Sequence, residues 1–310
     1  IGGLSIFIGI ILSIFLSKFI FNQYGNDFLD ENIIFSFSIG SLFFFLIGLV
    51  DDIYLASPFL RLFAQIISAV IVWFLGIKIN VISLAIFNSN LPIFNLTPSM
   101  SLFFTVWWIT GTTNAINWID GLDGLAAGLT TIATVTLSCL NFSQGNLTQS
   151  FLSLTLAGSC IAFLFYNSYP SKVLMGDGGS YLLGFSLSSL AILSTNNQEH
   201  FNLFYSLIIL LIPLFDMCLV ICLRLLKKKS PFFPDKSHIH HKFLELGFTQ
   251  KITVYMICAV SFTLSLIFLS IKIDPFDNVS KIFSFTFIFA GISLFIKEMQ
   301  LKSKKNLSKF

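Results

Sequence analysis

Ten stretches of this chain stay apolar for long enough to cross a bilayer as helices, and that excludes most folds at once. About 20 residues span the hydrocarbon core. The runs lie at 4–21, 33–50, 61–78, 101–117, 124–141, 150–167, 179–195, 203–226, 252–271 and 279–297. The run at 179–195 is the least apolar, because Ser and Gly interrupt it; small residues at that density also suit close helix–helix contact in lipid. Only 11% of residues are charged and 55% are hydrophobic, where a soluble domain carries about 25% charged residues. The fold class predicted is all-α, a polytopic transmembrane helical bundle of about ten spans, forming a single domain over 1–310. Cys139, Cys160, Cys218, Cys222 and Cys258 sit in apolar runs with neither metal-ligand nor disulfide spacing, and read as packing residues. The first run is long enough to span and no small-residue cleavage pattern follows it, so it reads as a span and not as a signal peptide.

Ten spans sort the connecting segments into two sets. One set holds the N-terminus, 51–60, 118–123, 168–178, 227–251 and the tail 298–310; the other holds 22–32, 79–100, 142–149, 196–202 and 272–278. Of the 18 Lys and Arg, the first set with its flanks carries 14, the second four (Lys18, Lys78, Lys272 and Lys281). The positive-inside rule places the first set in the cytoplasm. The alternation does not depend on the charges, so the two agree independently. The tail Lys302-Ser303-Lys304-Lys305 reads as a topology anchor, with a lipid-binding patch as the alternative.

Four polar motifs all fall on that basic side. Asp51 and Asp52 end the second run; a pair of acids at a helix C-terminus opposes the macrodipole and is better tolerated beside a cation, although a solvated cap is the plainer reading. The segment 114–128, NAINWIDGLDGLAAG, breaks an apolar stretch with Asn117, Asp120, Asp123 and three glycines. Asn117 and Asp120 share a helical face, and ionisable residues at membrane depth are costly and usually functional. Gly121 and Gly124 let backbone come close to a ligand. Lys172 precedes Leu174, Gly176 and Asp177, a Gly-flanked carboxylate opening a helix, which suits an anion held through a divalent cation; a Gly-rich turn is the plain alternative. In 230–241, SPFFPDKSHIHH, three of the four histidines crowd together: His238, His240 and His241. With no cysteine or second His cluster nearby, zinc is the weaker reading; together with basic groups such as Arg224 and Lys172 the tract reads as a loop that binds phosphate and pyrophosphate. Paired carboxylates, a lone Asp in Gly-rich backbone and a cationic loop are the equipment of metal-assisted phosphoryl transfer.

The strings LVDD at 49–52, NAINWIDGLDGLAAG at 114–128, MGDGGS at 175–180 and SPFFPDKSHIHH at 230–241, in that order and spacing, resemble the polyprenyl-phosphate N-acetylhexosamine-1-phosphate transferases. The His-Ile-His-His ending is similar to the branch that initiates O-antigen, teichoic acid and other surface polysaccharides. The resemblance covers essentially the whole chain. It implies that UDP-N-acetylhexosamine, by default UDP-GlcNAc, and undecaprenyl phosphate give the lipid diphospho-sugar and UMP, with Mg²⁺ (or Mn²⁺), in the bacterial inner membrane with the site facing the cytoplasm. It implies Asp51 and Asp52 as the catalytic acidic pair and Asp177 as a metal ligand. Asn117, Asp120 and Asp123 lie around nucleotide and metal, Asp120 on the metal. His238, His240 and His241 bind the UDP-sugar. Leu174 stands where the family usually has a Phe that can stack on uracil. The family also has one more span and a basic loop ahead of Ile1-Gly2-Gly3, giving eleven spans in the full-length protein.

Two other readings stand beside this one. A secondary transporter of an anionic sugar or nucleotide also uses Gly-interrupted helices, but places them near the midplane and often in two similar halves; here the motifs gather at one face and no repeat is visible. A membrane scaffold leaves Asn117 and Asp120 unexplained. No nucleic acid partner is expected, and the sequence leaves the oligomeric state open, a homodimer included.

Overall fold

A computed structural model describes residues 2–23, 29–83, 93–194, 201–228, 230 and 238–273. The tenth expected span, 279–297, and the basic tail lie outside the described residues. The helices follow the apolar runs: α1 (Gly2–Gln23), α2 (Glu31–Tyr54), α3 (Pro58–Phe74), α4 (Pro98–Ile119), α5 (Leu125–Ser143), α6 (Leu147–Asn167), α7 (Gly176–Leu193), α8 (Leu203–Ile209), α9 (Leu211–Leu226), α10 (Ile239–Glu245) and α11 (Gln250–Lys272). Five of the described helices are long and apolar enough to cross a membrane by length and composition alone. Their starts are written in the sequence. Asp30 caps α2, and Ser57 and Thr97 cap α3 and α4, each followed by Pro at the first helical position.

One expected run divides. The stretch 203–226 forms α8 and α9 instead of a single helix, separating at Leu210. Pro213 explains the break: it has no N–H to give the carbonyl four residues back, and its ring crowds that carbonyl, which belongs to Ile209. A small sheet is also added to the all-α expectation. Strand β1 (Val81–Ser83) pairs antiparallel with β2 (Ile93–Asn95) and parallel with β3 (Phe201–Asn202). Segments 79–100 and 196–202, which alternation assigns to the same end, are thereby joined. At that end too, the Asp30 N–H donates to Thr148 Oγ1 at 2.9 Å. At the lysine-rich end, the N–H groups of Gly2 and Gly3 donate to the carbonyls of Leu174 and Met175, both at 3.0 Å.

Helix α7 is the axis of the bundle. From Gly178 to Leu193 every residue is buried, with α1, α2, α4, α5 and α6 packed around it. This accounts for the low apolarity of its sequence: α7 faces protein and not lipid, so its serines and glycines cost little and permit close approach. Phe185 stacks on Phe44 of α2 at a centroid distance of 4.7 Å, and a Cβ on Gly40 would strike its ring. A Cβ on Gly184 would lie 2.5 Å from Thr113 Cα and 3.0 Å from its carbonyl oxygen, both backbone of α4.

Close approach at Gly184 predicts a paired result. Gly184→Ala must separate α4 from α7 and is expected to cost about 1–3 kcal/mol, seen as a lower Tm in detergent. Gly158 in α6 has open space where its Cβ would go, so Gly158→Ala is expected to be neutral or to stabilise by roughly 0.5–1 kcal/mol. Equal Tm values for the two variants would reject the close α4–α7 contact.

Candidate active site

The site converges on the first turn of α7. Its N-terminal N–H groups have no partner within the helix, and Met175 at the cap position supplies no side-chain bond. The missing acceptor comes from α2: Asp52 Oδ1 accepts from the Asp177 N–H at 2.7 Å and Oδ2 from the Gly178 N–H at 3.0 Å. Gly176 makes this possible. Its φ is +75°, and a Cβ there would sit 2.7 Å from Asp52 Oδ2. Gly48, one turn back from Asp52 on α2, lies against the Asp177 carbonyl, where a side chain would collide. The acidic pair at the C-terminal end of α2 is therefore not a solvated cap; Asp52 faces the positive end of another helix dipole.

Asp51 has a different partner. It is buried, and its Oδ2 accepts from Arg61 Nη1 of α3 at 2.5 Å. The same Arg61 nitrogen lies 3.9 Å from Asp177 Oδ2. Across the site, Asn117 Nδ2 in the last turn of α4 donates to Asp177 Oδ1 at 2.6 Å and to Ser180 Oγ at 2.9 Å. Asp177 is thus held between α2 and α3 on one side and α4 on the other.

The α4–α5 turn closes the site from a third direction. Asp120 ends α4, and Gly124 takes a left-handed φ of +78° before α5. Asn167 clamps this turn to the 168–175 segment, accepting from the Gly124 N–H at 3.0 Å and donating to the Val173 carbonyl at 2.9 Å. Asp123 Oδ2 accepts from the Ser171 N–H at 3.1 Å. Asp120 has no side-chain hydrogen bond among the described residues. Its carboxyl is pushed well above the usual range, by burial first and then by the charges of Asp177, Asp123 and Asp52.

The histidine segment covers that turn. His240 of α10 packs on Gly121, where a Cβ would meet its Nε2 at 2.5 Å; the glycine admits a protein ring at this point. His240 is buried, and neither ring nitrogen has a hydrogen-bond partner among the described residues. Burial, then the neighbouring His241 and His238, lowers its pKa to about 4, so the ring is neutral near pH 7. His238 stands edge-on to Trp118 at 5.9 Å, and the Arg224 guanidinium lies 5.0 Å from the Trp118 ring.

The structure therefore brings together Asp51, Asp52, Asn117, Gly176 and Asp177 by direct contact. Asp120 and Asp123 lie on the adjoining turn, and His238, His240, His241 and Arg224 on the segment over it. Lys172 and Leu174 lie at the rim with exposed side chains, Leu174 at 71%. Residues 231–237 of the fourth motif lie outside the described residues. Sequence reasoning passed over Arg61, counted only as a topological charge, and Asp216, which binds His238. The signal for Asp216 was present: it is the one acid in the apolar run 203–226.

Crowding of acids makes a pH prediction. The Asp177 carboxyl is pushed up to about 6, by burial first, then by the Asp51 side chain within hydrogen-bond reach, with Asn117 acting against and the charges of Asp51 and Asp52 adding. The folded state then keeps a proton that the unfolded chain has already released. Stability is lost as pH rises from about 4 to about 6, and stays lost above that. Asp177→Asn removes this dependence. In buffer free of divalent ions, the Tm of the variant relative to wild type should rise from about pH 4 to about pH 7 and then level off; a difference that falls over that range would reject the crowding.

Comparisons with known proteins meet this geometry. The pattern of glycosyl transferase family 4 matches residues 34–195, the segment that carries Asp51, Asp52, Asn117, Asp120 and Asp177. The chain is 35% identical over 266 residues to the probable undecaprenyl-phosphate N-acetylglucosaminyl 1-phosphate transferase of Bacillus subtilis (strain 168), covering 86% of this chain and 71% of that protein. It is 35% identical over 222 residues to the undecaprenyl-phosphate alpha-N-acetylglucosaminyl 1-phosphate transferase of Haemophilus influenzae, covering 69% and 61%. It is 28% identical over 278 residues to the decaprenyl-phosphate N-acetylglucosaminephosphotransferase of Mycobacterium tuberculosis (strain H37Rv), covering 83% and 68%. With a bundle of apolar helices and one carboxylate-rich end, this chain belongs to glycosyl transferase family 4 as a polytopic membrane protein.

Proposed function

We propose that this protein transfers N-acetylglucosamine 1-phosphate from UDP-N-acetylglucosamine to undecaprenyl phosphate, releasing UMP, at the cytoplasmic face of a bacterial inner membrane. The relatives' names supply the sugar phosphate and the lipid acceptor. The observation that carries the reading is the position of Asp177, held by Asn117 and facing Asp51 and Arg61, at the lysine-rich end of a membrane bundle. A water-soluble donor reaches that end from the cytosol, and a lipid phosphate reaches it along the bilayer.

An oxygen of the lipid phosphate attacks the β-phosphorus of the donor; the bond to the bridging oxygen breaks, and UMP leaves with that oxygen. A phosphate monoester has a second pKa of about 6, so the acceptor is already an adequate nucleophile and needs little deprotonation. The protein's tasks are alignment and charge. Arg61 balances the acids beside the acceptor's path. His240, neutral and buried, offers hydrogen bonds to the donor, and Arg224 places a cation on the face of Trp118.

The residues present fit a bound Mg²⁺. Among the described residues no three His, Cys, Asp or Glu side chains are arranged to grip an ion. Yet Mg²⁺ is commonly held by one or two carboxylates, with substrate phosphates and waters completing the shell. Asp51 is engaged by Arg61, Asp52 by two N–H groups and Asp123 by one. Asp120 makes no side-chain hydrogen bond among the described residues and Asp177 accepts one, on Oδ1 from Asn117; both have carboxyl groups whose ionisation their surroundings oppose. Those two would hold the ion, which would neutralise the pyrophosphate charge.

Membranes containing the full-length protein, given radiolabelled UDP-N-acetylglucosamine, undecaprenyl phosphate and Mg²⁺, are expected to yield lipid-soluble label and stoichiometric UMP. Uptake of label without lipid labelling would instead establish the transporter. Asp177→Asn is expected to lower turnover by about a hundredfold or more, the scale at which positioned charges act on phosphoryl groups; wild-type turnover at limiting Mg²⁺ would remove Asp177 from the ion.

A further inference from the structure

Asp216 is an acid that the phosphoryl transfer itself does not use. It lies within α9, is 1% exposed, and stands in an apolar run where a carboxylate is costly without strong partners. Both of its partners come from the histidine segment. Oδ2 faces His238 Nδ1 at 2.7 Å, and Oδ1 accepts from the Ile239 N–H at 2.7 Å. His238 is the residue before α10 and provides no cap of its own; the Ile239 N–H, first in that helix, takes its acceptor from α9 instead.

One carboxylate therefore fixes two things. Because it accepts, it keeps the His238 proton on Nδ1 and sets the plane of the ring. That ring lies nearly parallel to His240, at 12° and a centroid distance of 5.5 Å, and edge-on to Trp118. It also pins the start of α10, which determines where His240 meets Gly121 and so how close the segment comes to Asp120. Helix α10 has only seven residues, too few to hold itself in place without tertiary contacts.

We infer that Asp216 is a positioning residue for the donor half of the reaction: it holds the 238–245 segment over the α4–α5 turn, acting through His238 and the Ile239 N–H and not on the reacting atoms. This rests on the transferase reading for its kinetic consequence, but the placement of the segment can be tested separately. A charge-assisted hydrogen bond to a buried group is worth enough that losing it costs about ten- to a hundredfold in the property it supports.

The test uses the full-length protein in detergent or nanodiscs, with wild type, Asp216→Asn, Asp216→Glu, His238→Ala and the Asp216→Asn/His238→Ala double variant. Hydrogen exchange by mass spectrometry reads the segment without activity. Peptides covering 238–246 are expected to exchange about tenfold faster in Asp216→Asn, with the α2 and α7 peptides unchanged; unchanged exchange at 238–246, or faster exchange everywhere, would overturn the inference. Kinetics reads the consequence. KM for UDP-N-acetylglucosamine should rise about ten- to a hundredfold in Asp216→Asn with KM for undecaprenyl phosphate unmoved. The double variant should lose less than the product of the two single losses, and Asp216→Glu should recover part of the loss. A fall in kcat with both KM values unchanged, or fully multiplicative losses, would overturn it. Wild type that transfers no sugar phosphate, yet shows the local exchange effect, would sink the transferase reading and leave the anchoring intact.

Discussion

Two N–H groups at the start of α7 donate to the carboxylate of Asp52, a residue 125 positions earlier in the chain, and much else follows from that contact. Helix α7 is enclosed by protein from Gly178 onward, so the Gly178 N–H cannot turn to lipid or bulk water for a partner. A buried N–H left without a partner costs about 1–3 kcal/mol, a sizeable share of the net stability of a fold. The acid of α2 meets that need, and its own position at the negative end of α2 becomes tolerable because it faces a positive one. Neither helix end is well placed without the other.

This cap also explains why the site is built from glycine. For Asp52 to reach under α7, Gly176 must take a left-handed φ and leave open the space that a Cβ would fill, and Gly48 must let α2 approach the Asp177 carbonyl. Gly40 and Gly184 allow the same closeness farther along the axis. Between apolar helices in lipid there is little hydrophobic gain from association, and the driving force is close packing with interhelical hydrogen bonds. The small residues that make 179–195 look like a poor span are those that make α7 a good axis.

The motif residues were legible because an ionisable or Gly-rich interruption of an apolar run is expensive, and expense in a membrane marks function. That logic singles out Asp51, Asp52, Asn117, Asp120 and Asp177; contacts draw Asp51, Asp52, Asn117 and Asp177 to the first turn of α7, with Asp120 on the adjoining turn. It does not name their partners. Arg61 looked like an ordinary interfacial charge, and only its approach to Asp51 gives it a part in the site. The division of 203–226 was foreshadowed by Pro213, yet a hydropathy argument averages over one proline. The sheet joining residues 81–83, 93–95 and 201–202 was beyond reach, since strands of two or three residues carry too little periodicity to register. His240 differs for another reason. A histidine next to basic residues in the sequence suggests a cation, but its charge is set by what surrounds it in space, and the rings of His238 and His241 with burial leave it neutral.

Asp52 and Asp216 apply one device at two places. Each is a carboxylate on one helix whose two oxygens serve the beginning of another segment, and each leaves that segment's functional side chains free of the task. Because Asp52 takes the α7 N–H groups, Asp177 can turn its own oxygens toward Asn117, Arg61 and the open side of the site. Because Asp216 takes the Ile239 N–H and the His238 ring, His240 can stand over Gly121 with both nitrogens uncommitted. Groups that are to meet a ligand need hydrogen-bonding capacity that is not spent on the fold. Here the fold's demands fall on Asp52 and Asp216, which satisfy the N–H groups at the starts of α7 and α10.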